Sequence, residues 1–166
     1  GLFSFIKDAG EKLFGSGEAK AAQDAAAKAP TPESTALANT KAAEAIRNYI
    51  DALKLATPDL TIRFEGASGT VTVGGSAPDQ ATKERILLAA GNVQGVSQVE
   101  DQMTVLKAEP EAKFHTVVRG DTLSAIAKAH YGNANKYMAI FEANKPMLSH
   151  PDKIYPGQVL RIPPQA

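Results

Sequence analysis

The sequence predicts an α+β fold of two small modules in series, an αββαβ sandwich and then a βααβ unit, preceded by a short amphipathic helix. Three observations carry this. LTIRFEG (60–66) and GTVTVGG (69–75) alternate apolar and polar residues, as half-buried strands do. The runs around them repeat their apolar residues at intervals of three and four, as helices do. A charged, Pro-containing stretch, KAEPEAK (107–113), divides the chain, and 166 residues suffice for two small domains.

Residues 1–14 read as the amphipathic helix, with Leu2, Ile6, Ala9 and Leu13 on one side and Lys7, Asp8, Glu11 and Lys12 opposite. Residues 15–39 are rich in Ala, Gly, Ser and Pro, with almost no large apolar side chain, and read as a flexible tether. The first module is expected over 40–106. Thr40 would cap its first helix, whose stripe is Ala43, Ile46, Ile50 and Leu53, and Pro58 ends that run. Leu60, Ile62 and Phe64 then face Val71 and Val73 in a hairpin. Ser76 would cap a second helix with Pro78 in its first turn, and Gly91 would end it in a left-handed conformation. The last strand, 97–106, keeps Val99, Met103 and Val105 in one phase, which Asp101 breaks, so a bulge or a sheet edge is expected there.

After the linker 107–113 the second module spans 114–163. FHTVV is its first strand. Asp121 would cap a helix carrying Leu123, Ile126, Ala127 and His130 on its packed side. ANKYMAIFEAN is a second helix, KPMLSHPDKIYPGQ a long loop and VLRIP the closing strand.

Composition narrows the function. Lys plus Arg and Asp plus Glu both total 18, which argues against nucleic acid, since phosphate binding calls for a basic surplus. With no cysteine, thiolate catalysis and zinc–cysteine sites are excluded. No apolar run is long enough to span a bilayer, and the start lacks the marks of a signal peptide, so a cytoplasmic monomer is expected. The chain has none of the common hydrolase, phosphate-loop or dinucleotide motifs. His115, His130 and His150 are widely spaced and read as structural or solvated, so a binding protein is expected rather than an enzyme.

Residues 114–163 resemble the LysM module through HTVVRGDTLSAIAKAHYG, IFEAN and DKIYPGQVLRIP. That resemblance implies binding of N-acetylglucosamine-containing glycans such as peptidoglycan. The groove would lie between Gly120, Asp121, Thr122 and Leu123 on one side and Ile154, Tyr155 and Pro156 on the other. Caps, core and a tight turn explain the same residues without a sugar. Residues 40–106 resemble the BON domain through GTVTVGGSAP, ERILLAAGNVQGV and VSQVEDQM, which implies phospholipid surfaces as another alternative. The combination, with KDAGEKL, GNVQGV, FEANKPML and PDKIYPGQVLRIP, resembles the bacterial cytoplasmic potassium-binding proteins. That likeness implies a potassium ion held by main-chain carbonyls of Ile6, Lys7 and Ala9 and of Gly91, Val93 and Val96, with compaction on binding.

The physical reading agrees with such a site. A helix leaves its last carbonyls without intrahelical partners, and the aligned dipoles make that end negative. Glycine lets successive carbonyls fold back. GNVQGV has no carboxylate, whereas a calcium site would recruit several. Main-chain ligands make side-chain identity unimportant, so Asn92→Ala is expected to do little.

Overall fold

The computed structural model describes residues 1–165. Its elements in chain order are β1 (Leu2–Ser4), α1 (Gly17–Lys28), α2 (Pro32–Ala52), β2 (Thr61–Glu65), β3 (Thr70–Asp79), α3 (Gln80–Gly91) and β4 (Gln98–Lys107), then β5 (Lys113–Thr116), α4 (Leu123–Tyr131), a 3-10 turn (Ala134–Lys136), α5 (Tyr137–Ala143) and β6 (Val159–Ile162). The α+β class and the αββαβ and βααβ orders stand as the sequence predicts.

The first sheet has the order β1-β4-β3-β2. β2 and β3 form the hairpin, antiparallel, with Phe64 opposite Val71. β3 and β4 are parallel, so α3 is the crossover between them. α2 and α3 cover the sheet. Ile46, Ile50, Val71, Val73, Ile86, Leu87 and Val99 close the core between these layers. In the second module β5 and β6 pair antiparallel. α4 and α5 close over them with Leu123, Ile126, Ile140, Phe141, Leu160 and Ile162.

Several local expectations are corrected. The N-terminal segment is not a helix. Leu2–Ser4 adds to β4 as an antiparallel edge strand, and Phe5 continues inward. LFSF alternates as well as it spirals, and the open edge of β4 offered backbone partners that an isolated helix lacked. Gly10, at φ +111, also stops any helix there. The tether is not a tether either. α1 and the first turns of α2 form a helical hairpin in which Ala19 and Ala22 are buried, as are Ala38 and Ala42 of α2. Alanine has the strongest helix propensity, and its small side chain lets two helices approach closely. α2 therefore starts eight residues before Thr40, at Pro32. Thr31 caps it, with Thr31 Oγ1 accepting from Ser34 N at 3.0 Å and Ser34 Oγ accepting from Thr31 N at 2.9 Å.

The remaining corrections concern caps and phase. Asp79, not Ser76, caps α3, accepting from Thr82 N at 2.8 Å. Ser76 stays in β3, where its N–H and hydroxyl bind the Asp59 carboxylate. Thr122, not Asp121, caps α4. His130 is exposed rather than on the packed side, and its Nε2 lies 3.3 Å from His115 Nδ1. Asp101 lies neither in a bulge nor at an edge: pairing with β3 continues through it, and on the other side its N–H donates to Gly1 O at 2.8 Å. Its Oδ1 accepts from Met103 N at 2.9 Å, and its Oδ2 pairs with Lys83 Nζ at 2.8 Å.

The two modules share a buried interface. Val159 of β6 belongs to the core of the first module, and the Phe3 and Phe114 rings meet edge to face at 5.4 Å. Glu84 of α3 and Arg161 of β6 form a buried ion pair, Nη2 to Oε1 2.7 Å and Nε to Oε1 3.1 Å. The other Glu84 oxygen accepts from Ala112 N and Gln80 Nε2, each at 3.0 Å. Both partners have full hydrogen-bond company, which is what makes burial of such a pair tolerable. Glu84→Ala leaves the Arg161 guanidinium buried and unpaired. It should cost about 3–5 kcal/mol in urea unfolding. A loss below about 1 kcal/mol would show that water reaches the pair.

Candidate cation site at the end of α3

α3 ends abruptly. Asn92 N donates to Leu88 O at 2.9 Å, and the chain then leaves the helix. The next donors that would have served the helix are diverted: Gln94 N goes to Glu11 O at 2.9 Å and Gly95 N to Lys7 O at 2.7 Å. Among the described residues no hydrogen bond reaches the carbonyls of Ala89, Ala90 or Gly91. All three residues are buried. The negative end of a helix dipole is thus held away from bulk water with its oxygens uncommitted.

The N-terminal segment is sewn across this end. Phe5 N donates to Ser97 O and Glu11 N to Asn92 O, both at 2.9 Å, and Gln94 Nε2 donates to Asp8 O at 3.2 Å. A parallel bridge joins Glu11 to Val93. The six carbonyl-bearing residues inferred from the sequence therefore fall into two segments that the fold brings into contact, 6–9 and 91–96. Three of their oxygens already accept one bond: Ile6 from Ala9 N at 3.1 Å, Lys7 from Gly95 N, and Val93 from Val96 N at 3.0 Å. Each retains a second lone pair. The carbonyls of Ala9, Gly91 and Val96 accept none among the described residues.

Glycine acts here in a way the sequence did not reveal. Gly91 is the last helical residue and is not left-handed. Its missing Cβ matters because the Phe5 ring occupies that space, with Cζ 2.1 Å from where a Cβ would sit. Gly10 similarly rests on the Asn92–Val93 peptide, where a Cβ would fall 2.6 Å from the Asn92 carbonyl carbon. Gly95, at φ +104, is the position that needs backbone freedom.

Asn92 is the residue that the sequence reading missed. It is 3% exposed. Its Nδ2 donates to Leu88 O at 3.0 Å and to Val159 O at 2.9 Å, and its Oδ1 accepts from Val159 N at 2.8 Å. The expectation that its truncation does little is thereby corrected, since removal strands buried backbone groups. The signal was present in the parallel between AAGN and FEAN, where each helix ends in Asn.

The residues of the inferred sugar groove also serve as caps and core. Asp121 accepts from Val118 N at 3.0 Å and lies 2.9 Å from His115 Nε2. Thr122 Oγ1 accepts from Ala125 N, Leu123 is core, and Gly120 and Thr122 are exposed on that side. Opposite them, Pro156 is exposed and Ile154 and Tyr155 are half-buried. The next residue, Gly157, touches the N-terminal segment, with its absent Cβ 2.6 Å from Ala9 Cβ. Burial pushes the Tyr155 phenol up to about 12, and the Glu11 carboxylate adds to that. Burial likewise raises Tyr49, helped by Glu11 and Tyr155. Among the described residues no cluster of three or more His, Cys, Asp or Glu side chains is placed to hold a metal.

The fold and the two family models agree on the class. A BON domain matches residues 38–107 and a LysM domain matches 115–163, so this is a BON–LysM protein. Over 164 residues the chain is 45% identical to a protein of Escherichia coli O6:H1 named Potassium binding protein Kbp, covering 98% of each. A second relative, an uncharacterized protein of Deinococcus radiodurans, is 39% identical over 87 residues, which is 45% of this chain and 33% of that one. The chain belongs to the Kbp family.

Two outcomes follow from the geometry. Gly91→Ala should cost about 1–3 kcal/mol because the methyl group strikes Phe5. In a Phe5→Ala background the same change should become neutral or stabilising by up to about 1 kcal/mol, because alanine is the better helix former. Equal costs in both backgrounds, read by urea unfolding, would refute the contact. The second outcome concerns alkali. A phenol raised from 10.0 to about 12 supports the fold below pH 10, and that support is lost as pH rises towards 12. Tyr155→Phe should flatten the decline of stability across that window, measured by denaturant unfolding at its two ends.

Proposed function

We propose that this protein binds potassium reversibly through main-chain carbonyls at the end of α3, closed over by residues 6–9, and that binding compacts the chain. The observation that carries the reading is the buried helix end with uncommitted carbonyls beneath a hydrogen-bonded strap. The near full-length similarity to a protein named for potassium binding supports it. The ligand set we propose is Ile6, Lys7, Ala9, Gly91, Val93 and Val96, through their oxygens. Binding, not catalysis, is the activity, carried out as a monomer in the cytoplasm. No helix among the described residues is long and apolar enough to cross a membrane. The glycan reading rests on the LysM match alone, because most of its first loop is already committed to caps and core.

Thermal melts in potassium, sodium and calcium chlorides at equal ionic strength test this. Potassium should give a selective, saturable rise, worth about 3 kcal/mol at a hundredfold excess over Kd. Removing residues 1–9 should abolish that response, whatever it does to basal stability. Equal rises in all three salts, or an undiminished potassium response without residues 1–9, would overturn the proposal.

A further inference from the structure

Three connections meet in Asn92. Its N–H closes α3 on Leu88, its carbonyl accepts Glu11 N from the strap, and its side chain pairs with Val159 as a strand would. The residue stands between Gly91 and Val93, whose oxygens belong to the proposed ligand set. We infer that Asn92 is the positioning residue that couples the cation site to the LysM module. This rests on the potassium reading. The Gly91 oxygen lies on the peptide whose N–H, that of Asn92, donates to Leu88 O, and the Asn92 oxygen on the next peptide accepts Glu11 N, so neither plane turns without breaking a bond made by Asn92. Buried hydrogen bonds to Val159 resist every orientation but one. Cation binding therefore favours the docked LysM, and the docked LysM favours the geometry that receives the cation, by reciprocity of coupling.

The protein contains its own control. Asn144, at the end of α5, repeats the arrangement inside the LysM module: Nδ2 to Ile140 O 2.8 Å, Nδ2 to Arg161 O 2.9 Å, and Arg161 N to Oδ1 2.8 Å. Val159 and Arg161 thus donate to chemically identical acceptors two residues apart on one edge. Only the first acceptor comes from the cation module.

Residue-resolved amide exchange with potassium chloride, against sodium chloride at equal ionic strength, tests the coupling. Potassium should slow exchange at Val159 by about tenfold or more and leave Arg161 nearly unchanged. Asn92→Ala should remove that difference and weaken potassium affinity, while Arg161 keeps its protection. Asn92→Asp is the second variant. It keeps the volume and the acceptor for Val159 N but loses the donor to Leu88 and Val159, so it should uncouple without opening a cavity. If wild-type melts respond to potassium while Val159 and Arg161 change equally, or if either variant preserves the difference, the coupling is wrong and the binding reading survives. If the wild type does not respond to potassium at all, the binding reading falls, and the coupling falls with it.

Discussion

β6 is buried at all four of its residues, yet it has a strand on one side only. Its outer edge must still satisfy the backbone groups of Val159 and Arg161. Two helix-terminal asparagines do this, each offering an amide that mimics a strand. One of them comes from the neighbouring module, and that dependence makes the two modules one body. With Val159 held by Asn92, its side chain enters the BON core and Arg161 reaches Glu84. The 156–157 turn is then placed against Ile6 and Ala9 of the strap. Without the amide from Asn92, β6 would present the N–H and carbonyl of Val159 unpaired to a desolvated surface.

The end of α3 carries the opposite arrangement. There the fold diverts donors away from the helix, sending Gln94 N and Gly95 N to the strap. Buried carbonyls without donors are costly, since each loses water and gains nothing. A fold normally avoids this with a left-handed glycine that returns N–H groups to the last turn. Here Gly91 admits Phe5 instead, and the ring seals the site rather than relieving it.

Much of this was legible in the sequence. Alternation located β2 and β3, a 3.6-residue period located the later turns of α2 and α4, and GNVQGV marked where α3 stops. Failures came where local pattern underdetermined the outcome. LFSF fits either period, and only the vacant edge of β4 decides for a strand. Residues 17–28 contain nothing large enough to suggest a core, so their helix becomes visible only with α2 beside it. Asn92 was passed over because Asn beside Gly reads as a turn residue. Its partner lies 67 residues away, beyond any local spacing. The strap and the helix end were brought together by family resemblance, since main-chain ligands leave no side-chain signature.

The donor set also bears on which ion such a site favours. The strap carries Lys7 and Lys12 against Asp8 and Glu11, so its formal charges cancel. What remains is dipolar: peptide carbonyls and a helix terminus. The attraction of an ion to neutral dipoles grows in proportion to its charge, whereas its loss of hydration grows with the square of that charge. A divalent cation entering a neutral cage therefore loses more than it gains unless carboxylates follow it in, as calcium sites arrange. A weakly hydrated monovalent ion faces the smallest deficit. Coordination by backbone oxygen also ties selectivity to the rigidity of the chain that presents it. In the proposed site, burial of Gly91, Val93 and Val96, the Phe5 ring and the Asn92 amide would then determine the ion as much as the oxygens themselves.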